Sequence, residues 1–297
     1  MVRVGLATQP VINLMRDALL DAELIYYDET TFQVLKEEGR RPQTKSYLWA
    51  QMTDAGTPIR VFTYTPGRGG KLAEKLFAGI REGAALITDG YAAYNGIAQH
   101  HQLVHLGCWT HARRGFVKAE DNVPKAARTS DLLATRFIKL IGKLFAAEAR
   151  SATWTAERRQ RLRRRYSTRV LGIIQKLMLE QLPAVVPKSL LGKARNYLRG
   201  QWPKLVRYVE NGEWPISNNP CENAIRPFCV GRRSWLFSDT VAGANASANL
   251  YALVETCKAN RIDPYRYLAW LFQQLPLAAT VDDYDAFLPW KMPDALR

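Results

Sequence analysis

The chain has 297 residues, 47% of them hydrophobic and 23% charged, which is ample material for a buried core and excludes a disordered or fibrous chain. Lysine and arginine number 42 against 27 aspartates and glutamates, a net charge of +15. An excess of that size favours a polyanionic partner, and nucleic acid is preferred to acidic lipid because no basic amphipathic helix of the interfacial kind stands out.

The length suits about two domains, or one domain carrying a large insertion. No stretch approaches the ~18 uninterrupted apolar residues of a membrane span. The first thirty residues carry Arg3, Arg16, Asp17, Asp21, Glu23 and Asp28 and lack a secretory apolar segment. The four cysteines, Cys108, Cys221, Cys229 and Cys257, have no disulfide-framework spacing, which points to a reducing compartment. A soluble cytoplasmic protein is expected.

Val11, Ile12, Met15, Ala18 and Leu19 recur at three- and four-residue steps and predict an amphipathic helix up to Leu20. The run from Ala22 to Tyr27, rich in aromatic and branched residues, predicts a buried strand ending at Asp28. Tyr47 to Met52 and Ile59 to Tyr64 predict two further strands, joined as an antiparallel hairpin through Asp54-Ala55-Gly56. Gly69-Gly70 opens a predicted helix to about Ile80, and Ala84 to Thr88 and Leu103 to Leu106 supply two more short strands. Hairpins mixed with helical crossovers imply a mixed α/β sheet.

From about residue 117 to 210 strand signals give way to helix formers. Arg158, Arg159, Arg161, Arg163, Arg164, Arg165 and Arg169 are accompanied by Glu157 as the single acid, which reads as a helical insertion with a positive face. Helical patterns resume at Asn219 to Cys229 and around Ala244 to Ala259. A last helix is predicted at Asp263-Pro264, with Asp at the N-cap and Pro at the first helical position.

Three acids stand out. Asp28 and Asp89 each close an apolar strand, and ligand sites in open α/β sheets lie outside the carboxyl ends of strands. Carboxylates that converge there repel unless a cation lies between them, and their hard oxygens suit Mg²⁺ or Mn²⁺. Asp89 before Gly90 is equally good turn chemistry, whereas Asp28 followed by Glu29 beside an apolar strand is costly without a function. Glu222 completes a capping box with Asn219, or serves as a third ligand among the basic residues Arg226, Arg232 and Arg233.

At these residues the chain resembles a known group. Asp28-Glu29-Thr30, Thr88-Asp89-Gly90-Tyr91 with Tyr94, and Asn218-Asn219-Pro220-Cys221-Glu222-Asn223-Ala224-Ile225-Arg226-Pro227 look like the DDE transposases, most narrowly the bacterial insertion-sequence family numbered sixty-six. Tyr64 to Gly70, Cys108 to Arg114, Gly231 to Phe237, Ala259 to Tyr265 and Leu288-Pro289-Trp290 extend the likeness over nearly the whole chain from about residue 11.

The resemblance implies a ribonuclease-H-like mixed sheet flanked by helices, with an all-helical insertion before the third acid. It divides the chain into an N-terminal helical remnant (1–21), a first core part (22–116), the insertion (117–215), a second core part (216–276) and a C-terminal tail (277–297). It implies that Asp28, Asp89 and Glu222 are the catalytic acids and hold two Mg²⁺ (or Mn²⁺) ions. Strand cleavage at transposon ends would be followed by strand transfer into target DNA. A homo-oligomer on DNA, accessory proteins from the same element and a place on the nucleoid follow as expectations. Family members usually carry N-terminal zinc-binding and helix-turn-helix segments that this sequence lacks.

Cys108 and His111 form a Cys-x-x-His pair, which serves either as active-site support or as a buried hydrogen-bonded pair; zinc wants four ligands. Lys45, Arg68, Arg113, Arg114, Arg226, Arg232 and Arg233, with Trp235, are candidate DNA contacts, the alternative being solvated surface charge. His100, His101 and His105 show no partner arrangement in the sequence. The rival functional readings are a DNA-binding protein without catalysis and a ribonuclease-H-like nuclease that cuts without joining.

Overall fold

In the computed structural model, which describes residues 2–181 and 184–296, helices α1 (Val2–Ala7) and α2 (Gln9–Leu20) lead into strands β1 (Leu24–Lys36), β2 (Lys45–Thr53) and β3 (Ile59–Thr65). Next come α3 (Gly70–Leu76), β4 (Ala85–Thr88), α4 (Ala93–His100), β5 (Val104–Gly107) and α5 (Trp109–Asp121). A helical stretch supplies α6 (Leu133–Arg150), α7 (Ala156–Leu162), a π-helical turn (Arg163–Ser167), α8 (Thr168–Gln181) and α9 (Leu190–Leu205). The chain closes with α10 (Asn219–Trp235), β6 (Ser238–Thr240), α11 (Val241–Ala259), α12 (Pro264–Gln274) and α13 (Val281–Ala286).

The residues fall into two units: 1–86, 91–104 and 219–297 form the first, 87–90 and 105–218 the second. The helices expected within 117–215 lie in the second unit, together with the end of β4, most of β5 and all of α5. The strand path is β3-β2-β1-β4-β5, with β6 beside β1, and β4 passes from the first unit into the second after Leu86. β1 pairs antiparallel with β2 and parallel with β6, so the sheet is mixed as expected.

In the first unit β1 sets the two faces. Its register places Tyr27 opposite Gln51 and Glu29 opposite Trp49, so these four share one face, while Tyr26, Asp28, Thr30 and Phe32 share the other with Met52, Ala50, Leu48 and Ser46. On the Tyr27 face, Tyr27 meets Phe77 and Tyr94 at ring-centroid distances of 4.5 and 5.3 Å, the Gln51 amide donates to the Leu76 carbonyl, and Arg16 of α2 reaches Thr63. The opposite face carries α10 and α11: Phe228 meets Phe32 at 5.1 Å, Tyr251 meets Phe62 at 6.5 Å, and Thr256 exchanges hydrogen bonds with the Arg60 backbone. Helices on both faces give an α/β architecture.

Three elements differ from expectation. β1 does not end at Asp28 but runs to Lys36, because buried Phe32 and Val34 alternate with exposed Thr31 and Gln33, a second period-two stretch that the first apolar run conceals. α3 stops at Leu76 rather than Ile80, and Gly79 then turns with a φ of 85°. The helix at Asp263 has the anticipated cap, its side chain accepting the Arg266 N–H at 3.0 Å, yet it is not the last. Thr280 and Asp283 form a capping box that starts α13 within the acidic tail.

The second unit is built on an apolar helical core. Phe116 and Phe137 stack at 4.4 Å, with Trp109, Ile141, Leu144, Ile174 and Leu198 fully or almost fully buried around them. The arginine run does not form one solvated face. Arg159 donates to the carbonyls of Ser151, Trp154 and Gly212, and Arg163 is 1% exposed. The Arg163 guanidinium binds Glu148 in a two-pronged ion pair and donates to the Tyr208 carbonyl at 2.9 Å. Arg158, Arg161, Arg164 and Arg165 remain exposed and line a groove with Trp154.

A buried charge that loses its partner is costly, so Arg163→Met and Glu148→Gln should each destabilise the second unit by about 3–5 kcal/mol. Removing both charges together should cost less than the two single changes added, as measured by chemical denaturation of the three variants.

Candidate active site

Asp28 lies mid-strand, half-buried, with its Oδ1 accepting the Glu29 N–H at 2.9 Å. Its cross-strand partner is Ala50. The first turn of α10 comes down on that same place, where the buried Cys221 thiol donates to the Ala50 carbonyl at 3.6 Å. Burial pushes the Cys221 thiol well above its ordinary value, and the negative charges of Asp28 and Glu222 push it the same way. α10, which bears Glu222, is thereby seated on the face of the sheet that carries Asp28.

Further along α10 a series of contacts fixes the helix to β1. Arg232 donates to the Thr30 hydroxyl at 3.0 Å and to the Thr31 carbonyl, and the Cys229 thiol donates to the Thr30 hydroxyl at 3.6 Å. Phe32 meets Trp235 at 5.7 Å edge to face. Arg232 and Trp235 are therefore held against the strand, while Arg226 and Arg233 are exposed on the same helix.

Glu29 points to the other face, as strand alternation requires. Its side chain is 6% exposed, accepts a hydrogen bond from the Tyr94 hydroxyl and lies 3.5 Å from Arg68. Arg68 in turn sits over the Tyr91 ring at 4.5 Å. Sequence reading placed Glu29 beside a metal ligand and missed this role. The signal was available, because two adjacent acids in a strand cannot face the same side.

Asp89 belongs to the second unit, one residue beyond β4. Gly90 has a φ of 97°, so the turn chemistry of Asp-Gly is present whatever else Asp89 does. The Tyr197 hydroxyl donates to the Asp89 carbonyl at 2.5 Å, and burial pushes the Tyr197 phenol up with help from Cys108 and Asp89. Lys204 is lowered by partial burial and partly restored by Asp89. Tyr197 and Lys204 were invisible as partners because α9 lies more than a hundred positions downstream.

In the same unit Cys108 caps the start of α5, buried, and its sulfur accepts the Asn218 N–H at 3.2 Å. His111, one turn along, lies 3.3 Å from an Arg114 nitrogen. Arg113 and Arg114 are exposed, as is Lys45 at the start of β2 in the first unit.

Thr88 and the buried His105 imidazole are joined by a hydrogen bond of 2.9 Å between β4 and β5. Burial, reinforced by Lys204 and Arg207, pushes His105 down to about 3. Unfolded His105 takes up a proton below about 6.5 while the folded one stays neutral, so its contribution is complete above that pH and is lost as pH falls toward 3. The unfolding free energy should decline by up to about 1.4 kcal/mol per pH unit across this window from this group alone. His105→Gln should flatten that slope by close to one proton in denaturation curves taken from pH 7 to pH 4.

Comparison with known proteins supplies the class. Residues 1–246 match the family described as "Transposase IS66 family", and residues 252–290 match the "IS66 C-terminal element". The chain belongs to the IS66 transposase family. Two uncharacterized proteins of Sinorhizobium fredii are among its relatives. The protein y4qI is 28% identical over 99% of this chain and 55% of its own length, and y4jD is 24% identical over 97% and 57%. The chain thus spans about half the length of the curated relatives it matches. Among the described residues, no helix is long and apolar enough to cross a membrane.

Proposed function

We propose that the protein is a DNA transposase with a ribonuclease-H-like core, cutting DNA at transposon ends and joining the freed 3′-hydroxyl to target DNA. The observation that carries this reading is the family match over residues 1–246, which contain two strand-borne acids and a helix-borne acid, Asp28 and Glu222 lying on the same sheet face. Asp28, Asp89 and Glu222 are the proposed acids. Their hard carboxylate oxygens fit Mg²⁺ or Mn²⁺. Two such ions, when bound, supply activation of the attacking hydroxyl and neutralisation of the leaving oxygen.

The remaining chemistry belongs to the protein's own groups. β1 holds Asp28 rigidly through its ladder to β2, and the α10 contacts to Thr30 and Phe32 hold Glu222 to the same face. No covalent intermediate on a side chain is needed. The exposed Lys45, Arg113, Arg114, Arg226 and Arg233 are the proposed phosphate contacts, in keeping with the net charge of +15. Exposed Arg68, with half-buried Arg232 and Trp235 held against β1, are proposed as further DNA contacts, and Cys108 and His111 support the active site. A homo-oligomer assembled on DNA in the cytoplasm, at the nucleoid and with accessory proteins of the same element, completes the proposal.

The test is a strand-transfer assay with a pre-cut end bearing a free 3′-hydroxyl, target DNA and Mg²⁺. Joined product is expected, and Asp28→Asn, Asp89→Asn or Glu222→Gln should lower it by about a thousandfold or more while leaving DNA binding intact. Cut but unjoined product would support the nuclease reading instead, and salt-sensitive binding without product would support a DNA-binding role alone. Arg233→Ala should weaken binding evenly across sequences and reduce the salt slope by roughly one counterion.

A further inference from the structure

In the first unit, away from the acids already described, α3 and the end of α4 bring three metal-ligating side chains together. The ligand atoms of Glu74, His100 and His101 all lie within 4.8 Å of one another. The Glu74 Oε1 is 2.8 Å from the His101 Nε2 and 3.7 Å from the His100 Nε2, and the two imidazole rings pack at a centroid distance of 4.8 Å. From these positions we infer that Glu74, His100 and His101 form a binding site for a zinc-class divalent transition metal, which pins α3 to the C-terminus of α4.

Four observations carry this. Two ligand atoms on a tetrahedral zinc, each about 2.0–2.1 Å from the metal, stand about 3.3 Å apart, and the two observed separations from Glu74 bracket that value. The Glu74 Oε1 and the His101 Nε2 are buried atoms with no hydrogen-bond partner, although they face each other at 2.8 Å. Both atoms are thus buried without a hydrogen bond, a cost that a cation bound to them would offset. Two imidazoles and one carboxylate are the donor set of zinc, cobalt and nickel rather than of magnesium or calcium.

The fourth observation is the setting. His100 is the last residue of α4 and His101 caps it, where the helix dipole favours a cation. The His101 backbone N–H donates to the Ile97 carbonyl at 3.0 Å, and its ring packs by buried Phe77 at 6.4 Å, which places the imidazole. The His100 side chain is 71% exposed and opens a path for the ion and a water as fourth ligand. This site does not depend on the proposed DNA chemistry, and its metal preference differs from that of the three acids.

The experiment uses the full chain without a polyhistidine tag, stripped with chelator and titrated with Zn²⁺ and with Co²⁺. One ion per chain is expected, with cobalt ligand-field bands lacking a sulfur charge-transfer band, and a rise in melting temperature on adding zinc. His101→Ala and Glu74→Gln should each weaken binding by at least about tenfold and abolish the melting shift. Absence of binding, unchanged binding in both variants, or a thiolate-to-cobalt band placing the ion on a cysteine would each overturn the assignment.

Discussion

The clasp between α10 and β1 fixes the geometry of the first unit. Its chemistry is varied: a guanidinium on a threonine pair, a thiol on the same threonine, and an edge-to-face aromatic contact around Phe32. Because these partners stand about two hundred positions apart, ordering them in space costs chain entropy that only simultaneous burial and hydrogen bonding offset. The clasp settles which side of the sheet Glu222 joins. Without it, an acid on a helix and an acid on a strand would share no frame of reference.

Strand alternation is the second constraint. Tyr27 and Glu29 look toward α3 and α4, while Asp28 and Thr30 look toward α10. One pleat therefore sends two neighbouring carboxylates to different tasks. Glu29 anchors an arginine and a tyrosine, and Asp28 is left on the face where the helix-borne acid arrives. A shift of register by one residue would exchange them.

Much of this was legible in the sequence. The hairpin of β2 and β3, the short strand before Asp89, the helix starting at Asn219 and the capped helix at Asp263 all follow from local pattern, because propensity, period and turn residues agree there. The extension of β1 past Asp28 was hidden because polar Asp28-Glu29-Thr30 interrupts two stretches that share one ladder. The inward turn of Arg159 and Arg163 was hidden because a run of arginines looks alike in sequence whether it meets water or a ring of carbonyls and Glu148. Partners such as Tyr197 for the Asp89 turn, or Glu74 for the paired histidines, come from other elements and leave no mark near the residues they serve.

The first unit takes more than two fifths of its residues from beyond 218, including the helix that lies on β1 and the helix that covers β3. A ribosome therefore releases β1 long before it makes the segment that shields that strand's second face. During that interval Phe32 and Phe62 lack the cover of Phe228 and Tyr251, and the exposed apolar face is open to aggregation. Synthesis order thus builds in a delay: the face bearing Asp28 is completed only near the end of translation, so shortened products ending before α10 expose sticky sheet and lack Glu222 altogether.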